Sequence, residues 1–277
     1  MPELPEVETL RGDLEKEVVG RRIKTVEVSG MRAVRRHPNK KHFISKVEGR
    51  KIEGVTRRGK YLLLALGEEV LVIHLGMSGQ LLKTAAKDPV AAHTHVTFTF
   101  TQGGQLRFVD PRTFGEMFAV TTEALVADVP EISEQGFDPV VDVMSWDAFG
   151  ARLRARKVKL KTLLMDQRFV AGIGNIYSDE ILWAAGLRND RSSDSLSTQE
   201  VRRLYRALLE TLNDAIKHRG SSLADQQYRD LYGVVGNYQS EHNVYAREGE
   251  ACRRCRAPIQ RSRWSQRSTF YCASCQV

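Results

Sequence analysis

The placement of the cysteines constrains this chain more than any other feature. All four stand in the last 26 of its 277 residues, as Cys252-x2-Cys255, sixteen intervening residues, then Cys272-x2-Cys275. A Cys-x2-Cys pair can turn two thiolates onto one edge of a metal ion, and two such pairs close the sulfur tetrahedron that Zn2+ accepts. Using all four leaves no open position for a catalytic water, so one structural Zn2+ per chain is expected. Four unrelated buried thiols are the competing reading. Between Cys252 and Cys275 there are six arginines (Arg253, Arg254, Arg256, Arg261, Arg263, Arg267) and no acid. Arginine forks match phosphate oxygens in pairs, so nucleic acid is the most economical partner for this small cationic hairpin.

The charge of the whole chain points the same way. Lys and Arg number 42 against 34 Asp and Glu, a net charge of +8 with a pI near 9.4. Cutting after Glu134 gives 20 basic and 18 acidic residues before it and 22 and 16 after it, so the excess sits in the second half. Such a balance favours a polyanionic partner without naming one. With 42% hydrophobic and 27% charged residues, the composition excludes disordered and fibrous classes. No apolar run approaches the roughly 20 residues that span a bilayer. The opening Met1-Pro2-Glu3-Leu4-Pro5-Glu6 lacks the basic and apolar stretches of a signal peptide. A cytoplasmic protein without membrane contact is expected, its thiols kept reduced.

Hydrophobic period divides the chain. Val7, Leu10, Leu14 and Val18 form a helical stripe closed by Gly20. Residues 61–66 and 70–75 then flank a glycine turn, and Val96, Phe98 and Phe100 alternate up to Gly103-Gly104 before Leu106 and Phe108 resume. These hairpins predict an antiparallel sandwich or barrel after one leading helix. The period then changes: Val201, Leu204, Tyr205, Leu208, Leu212 and Ile216 form a helix opened by a Ser197-x-x-Glu200 capping box. Residues 146–187 read as further helix and 124–142 as a linker. The run 152–161 carries six basic residues and no acid, and by itself reads as a solvated helix face. Three domains follow: 1–135, 136–240 and 241–277.

The N-terminus has chemistry of its own. Removal of Met1, expected before a small residue, would leave the chain starting at Pro2 with a secondary amine. Such an amine condenses with an aldehyde carbon to a charged iminium, which acidifies the neighbouring C–H. A helix beginning here would favour the neutral amine, and Glu3 could serve as general acid. Taken alone, Pro2-Glu3 is a weak signal that fits a plain helix start better.

Met1-Pro2-Glu3-Leu4-Pro5-Glu6-Val7-Glu8-Thr9 resembles the opening of the bacterial formamidopyrimidine-DNA glycosylase family. The resemblance continues through Gly59-Lys60-Tyr61-Leu62, His74-Leu75-Gly76-Met77-Ser78-Gly79, Asp110-Pro111-Arg112-Thr113-Phe114-Gly115, Gly172-Ile173-Gly174-Asn175-Ile176-Tyr177 and the finger ending Thr269-Phe270-Tyr271-Cys272. It implies an α+β multidomain fold: an N-terminal antiparallel β-sandwich with a leading helix, a helical helix-two-turn-helix domain, and a C-terminal four-cysteine zinc finger, with DNA between them. It also implies a bifunctional glycosylase and abasic-site lyase of base excision repair, acting as a monomer on double-stranded DNA with oxidised purines or abasic sites. By motif, Pro2 is the nucleophile on C1′ and Glu3 the proton donor that opens the sugar. Lys60 serves β-elimination and contacts phosphate, and Arg267 serves δ-elimination. Met77, Arg112 and Phe114 fill the space left by a flipped base, as the physics of base flipping requires. His74, His93, Arg156 and Asn175 are implied DNA contacts, and residues 220–239 the loop over the flipped base.

Thr113 replaces a residue that is commonly basic in the family, and Ala246 and Ala251 replace glycine and proline. The 220–239 loop is slightly long and rich in tyrosine, which bears on substrate preference. Two other functions stay open at this stage. One is an endonuclease VIII-like glycosylase of oxidised pyrimidines, which Leu4 argues against. The other is a zinc-finger DNA-binding protein without catalysis, which would have no use for a terminal proline amine.

Overall fold

The computed structural model describes all residues except Met1, Asp225 and Ser265, and Trp264 by its backbone alone. Two compact units result: residues 1–134 with 218–237, and residues 135–217 with 238–277.

The first unit opens with α1 (Leu4–Val18), followed by strands β1 (Ile23–Val28), β2 (Gly54–Arg58), β3 (Tyr61–Leu66), β4 (Glu69–His74), β5 (Gln80–Thr84), β6 (Thr94–Phe100), β7 (Gln105–Val109) and β8 (Glu116–Thr121). They form two antiparallel four-stranded sheets, ordered β1-β6-β7-β5 and β2-β3-β4-β8. Alternation sets the faces: Leu62, Leu64 and Leu66 point into the main core with Phe98, Phe108 and the α1 stripe Val7, Leu10, Leu14 and Val18. The β3–β4 turn is the two residues Gly67-Glu68, because Glu69 already pairs with Leu66, and Gly67 takes a φ of +85° that suits a tight hairpin.

Three features of this unit differ from the sequence reading. A 3-10 turn (Met31–Val34) and α2 (Lys40–Val47), capped by Asn39 Oδ1 accepting from His42 N at 2.9 Å, lie between β1 and β2 where no helix was expected. Residues 124–142 are not simply a linker. Within them fall α3 (Thr122–Asp128), in large part, and α4 (Pro130–Ser133), whose Leu125 and Ile132 join Val129 in covering the outer face of the second sheet at Val70, Val72 and Phe118. This explains why β4 reads as a continuous apolar run: it is buried on both faces. Residues 218–237, expected within the helical domain, are compact with the first unit. Arg219 bridges Asp13 of α1 and Asp230, at 2.7 Å to the latter, Lys83 N donates to Leu231 O at 2.9 Å, and Leu231 is fully buried in the sandwich core.

The second unit contains α5 (Trp146–Arg154), α6 (Leu160–Met165), α7 (Asn175–Ala185), α8 (Thr198–Lys217) and the hairpin β9 (Gln260–Trp264) and β10 (Arg267–Tyr271). The Ser197 box forms as expected: Ser197 N donates to Glu200 Oε2 at 2.9 Å and Glu200 N to Ser197 Oγ at 3.3 Å. The basic run 152–161 stays largely in solvent, as expected, with Arg152, Arg156, Lys157 and Lys159 exposed; its last member is the exception. Lys161 is fully buried, its Nζ donating to Asp179 Oδ1 of α7 at 2.6 Å and to Thr269 Oγ1 of β10 at 2.9 Å. Thr269 Oγ1 and Phe270 N also donate to Asp179, at 2.6 and 2.9 Å. The next residue, Glu180, accepts from Asn243 N, Val244 N and Tyr245 N at 2.8–2.9 Å. Two adjacent acids on one helix thus anchor the cysteine-bearing segment. Among the described residues, no helix is long and apolar enough to cross a membrane.

Candidate active site and metal centre

In the first unit the site begins at the start of α1. Pro2 is buried just before the helix, and Glu3 is its N-cap. A capping box ties the turn together: the Glu3 carboxylate takes the backbone N–H of Glu6, and Glu6 Oε2 accepts from Glu3 N at 2.7 Å. The other oxygen, Glu6 Oε1, accepts from Ser221 N at 2.7 Å. Buried Glu6 therefore couples the catalytic-candidate turn to the loop that the family resemblance places over a flipped base. Gly220 permits this approach, since a Cβ there would lie 2.6 Å from Glu6 Oε1 and its φ is +78°. Sequence reasoning did not assign Glu6 a role; the Glu3-x-x-Glu6 spacing was the available signal. The removal expected of Met1 concerns a residue outside those described.

Lys60 occupies the two-residue turn between β2 and β3 and is 7% exposed, so it is not a solvated surface lysine. Its turn is fixed from beneath: Arg57 Nη1 donates to Gly59 O at 2.9 Å, and Arg57 Nε pairs with Glu8 Oε2 of α1 at 2.8 Å. Helix α1 therefore positions both Pro2 and, through Glu8 and Arg57, the Lys60 turn. His74, at the end of β4, stacks on Tyr61 with centroids 4.7 Å apart. Burial is the main cause lowering its pKa to about 4, so the imidazole is neutral near pH 7.

Met77, Arg112 and Phe114 stand on two loops that meet backbone to backbone, for a Cβ on Gly76 would lie 2.4 Å from Gly115 N. Asp110, fully buried, organises them: it accepts from Ser78 Oγ at 2.5 Å, Arg112 N at 3.2 Å and Gly115 N at 2.8 Å. Met77 and Phe114 are left 37% and 45% exposed, and the Arg112 guanidinium sits 5.2 Å over the Phe114 ring. Both apolar side chains are thus held partly in water on braced loops. His93 is exposed at a φ of 62°, its carbonyl accepting from Asp110 N.

In the second unit Asn175 is the first residue of α7. Its Nδ2 donates to Ser268 O at 3.0 Å, beside exposed Arg267, and its Oδ1 is buried without a hydrogen-bond partner among the described residues. Arg156 pairs with Asp166 at 2.9 Å, so phosphate would have to compete for its guanidinium. The four cysteine sulfurs lie within 4.8 Å of one another, with Cys252–Cys275 at 3.9 Å and Cys255–Cys272 at 3.4 Å. A zinc tetrahedron with bonds near 2.3 Å has edges of about 3.8 Å, so these four thiolates fit one Zn2+.

His74 and His37 give a testable pH dependence. His37 Nε2 accepts from Ala119 N at 3.1 Å, so its Nδ1 carries the proton toward His42 Nδ1 at 2.9 Å. Burial foremost, then the neighbouring His42 and Lys46, lowers its pKa from 6.5 to about 4. Both histidines fold neutral, so their contribution to stability is complete above pH 6.5 and is lost as pH falls toward 4. Urea midpoints should decline across that window. His37→Gln, which keeps an acceptor for Ala119, should flatten the decline; an unchanged slope would remove His37 from the acid-sensitive set.

Comparison with known proteins places these features in context. Residues 1–117 match the formamidopyrimidine-DNA glycosylase N-terminal domain, 135–227 the formamidopyrimidine-DNA glycosylase H2TH domain, and 249–277 a zinc finger found in FPG and IleRS. The chain is 42% identical over 278 residues to the formamidopyrimidine-DNA glycosylase of Herpetosiphon aurantiacus, covering 100% of both. The MutM (Fpg) structure from Thermus thermophilus matches at 40% identity and a TM-score of 0.88, over 99% of this chain and 98% of that one. The Lactococcus lactis Fpg in complex with abasic-site DNA matches at 34% and a TM-score of 0.90, covering 99% of each chain.

Proposed function

The chain belongs to the formamidopyrimidine-DNA glycosylase family, and from that premise we infer that it excises oxidised purines from double-stranded DNA in base excision repair and then cuts the strand. The observation that carries the reading is Pro2-Glu3 at the positive end of α1, braced by Glu6. Once Met1 is gone, the Pro2 nitrogen attacks C1′ and the damaged base leaves. Glu3 protonates the ring oxygen as the sugar opens to the iminium. Loss of the acidified C2′ proton then expels the 3′ phosphate, with Lys60 beside it, and a second elimination expels the 5′ phosphate with Arg267 as its counter-charge.

Met77 and Phe114 replace the stacking lost when the lesion flips out, and Arg112 faces the orphaned base. His74, His93, Arg156 and Asn175 hold the backbone. One zinc on Cys252, Cys255, Cys272 and Cys275 keeps the arginine-rich hairpin folded and takes no part in the reaction. The site of action is the bacterial cytoplasm, where the DNA is.

The test is single-turnover incision of duplexes carrying 8-oxoguanine, formamidopyrimidine or an oxidised pyrimidine. The purine lesions should be released fastest. Preference for the pyrimidine would move the protein to the endonuclease VIII branch, and binding without incision would leave a DNA-binding protein.

A further inference from the structure

Trp183 donates a hydrogen bond into the cysteine cluster that none of the chemistry above uses. It stands near the end of α7, half-buried against the cluster of Val244, Ile259 and Phe270. Its Nε1–H donates to Cys252 Sγ at 3.4 Å. The Arg254 guanidinium lies 4.3 Å over the indole ring, and Arg254 N donates to the same sulfur at 3.4 Å. The second cysteine pair is held by the same end of α7. Gly186 turns left-handed at φ +68° and its carbonyl accepts from Val277 N, while Gln276 accepts from Cys272 N and donates to Leu187 O, both at 2.8 Å.

We propose that Trp183 is a determinant of zinc retention, its indole N–H drawing charge from the Cys252 thiolate while the ring, stacked under Arg254, covers that sulfur. Four thiolates on one Zn2+ carry two net negative charges, and each N–H aimed at a sulfur offsets part of that excess. Cys252 is buried and Cys255 exposed, so zinc loss starts from the Cys255 side of the cluster. The inference rests on the four cysteines holding zinc.

The experiment uses the full-length protein purified with its metal. Trp183→Phe removes the donor and keeps a smaller aromatic ring under Arg254. Zinc affinity, read by competition with a chromophoric chelator, should weaken roughly 10- to 100-fold, the usual cost of losing a group that orients a metal ligand. In the Co2+-substituted protein the sulfur-to-metal charge-transfer band should move to longer wavelength, because a hydrogen bond lowers the energy of the thiolate lone pairs; a packing role alone would leave the band in place. An affinity change below about threefold, or faster release with an unmoved band, overturns the proposal. Should Trp183→Phe fail to fold, Arg254→Gln carries the test: it keeps the indole donor and removes the cation that holds the covering ring in place, so zinc should leave faster with the band unmoved, and unchanged release overturns the shielding. Wild-type protein found without zinc would instead refute the metal reading itself.

Discussion

Borohydride added to this enzyme on an abasic duplex should freeze a covalent adduct, and peptide mapping should place it on Pro2. The chemistry needs a free terminus and a secondary amine, so mass spectrometry of the purified protein should find the chain starting at Pro2. An unperturbed α-amino group titrates at about 7.7–8.0, and the start of α1 favours the neutral, nucleophilic form further. Retaining Met1, or acetylating Pro2, should reduce trapping to background, because the nitrogen would then be an amide in a buried position. DNA affinity should stay within about threefold, since it rests on phosphate neutralisation by the cationic surfaces. Glu3→Gln should impair excision of intact lesions more than cleavage at abasic sites, whose sugar already opens to an aldehyde. An adduct on Lys60, or trapping by a Met1-retaining protein, would refute the mechanism without touching the family assignment.

The second large effect concerns folding. Lys161→Met leaves the Asp179 carboxylate, 1% exposed, without its cation. Removing one partner of a buried ion pair costs about 3–5 kcal/mol, enough to unfold a marginal unit. The loss should appear as a lower urea midpoint for the helical and finger unit. Lys161→Met with Asp179→Asn should recover about half, since an amide oxygen can still accept from Phe270 N while no charge is left buried. A cost below about 1 kcal/mol for the single change would refute the claim that this buried ion pair holds the unit together.

Local spacing made much of this protein legible. The two hairpins, the α1 and α8 stripes and the Ser197 box follow from periods of 2 and 3.6 and from turn chemistry, all of which act within a few residues. The four cysteines likewise announced their convergence, because each Cys-x2-Cys pair is a self-contained ligand edge. Pro2-Glu3 was visible as chemistry and became specific through family resemblance.

What stayed hidden depends on distant partners. Arg152, Arg154, Arg156, Lys157, Lys159 and Lys161 read alike in the sequence, yet only for Lys161 do Asp179 and Thr269, 18 and 108 residues away, supply a buried acid and hydroxyl. Glu6 is an ordinary helix-start acid until Ser221 arrives from 215 residues downstream, and Trp183 is an ordinary helix residue until Cys252 lies beneath its N–H. The sequence by itself determined the two central hairpins, the α1 and α8 helices and the metal ligands, since these rest on short-range periodicity and on side-chain chemistry. Tertiary structure alone decided which charges are buried and paired, and that residues 218–237 belong with the β-sandwich, because the desolvation cost of a charge depends on what surrounds it after folding and not on its neighbours in the chain.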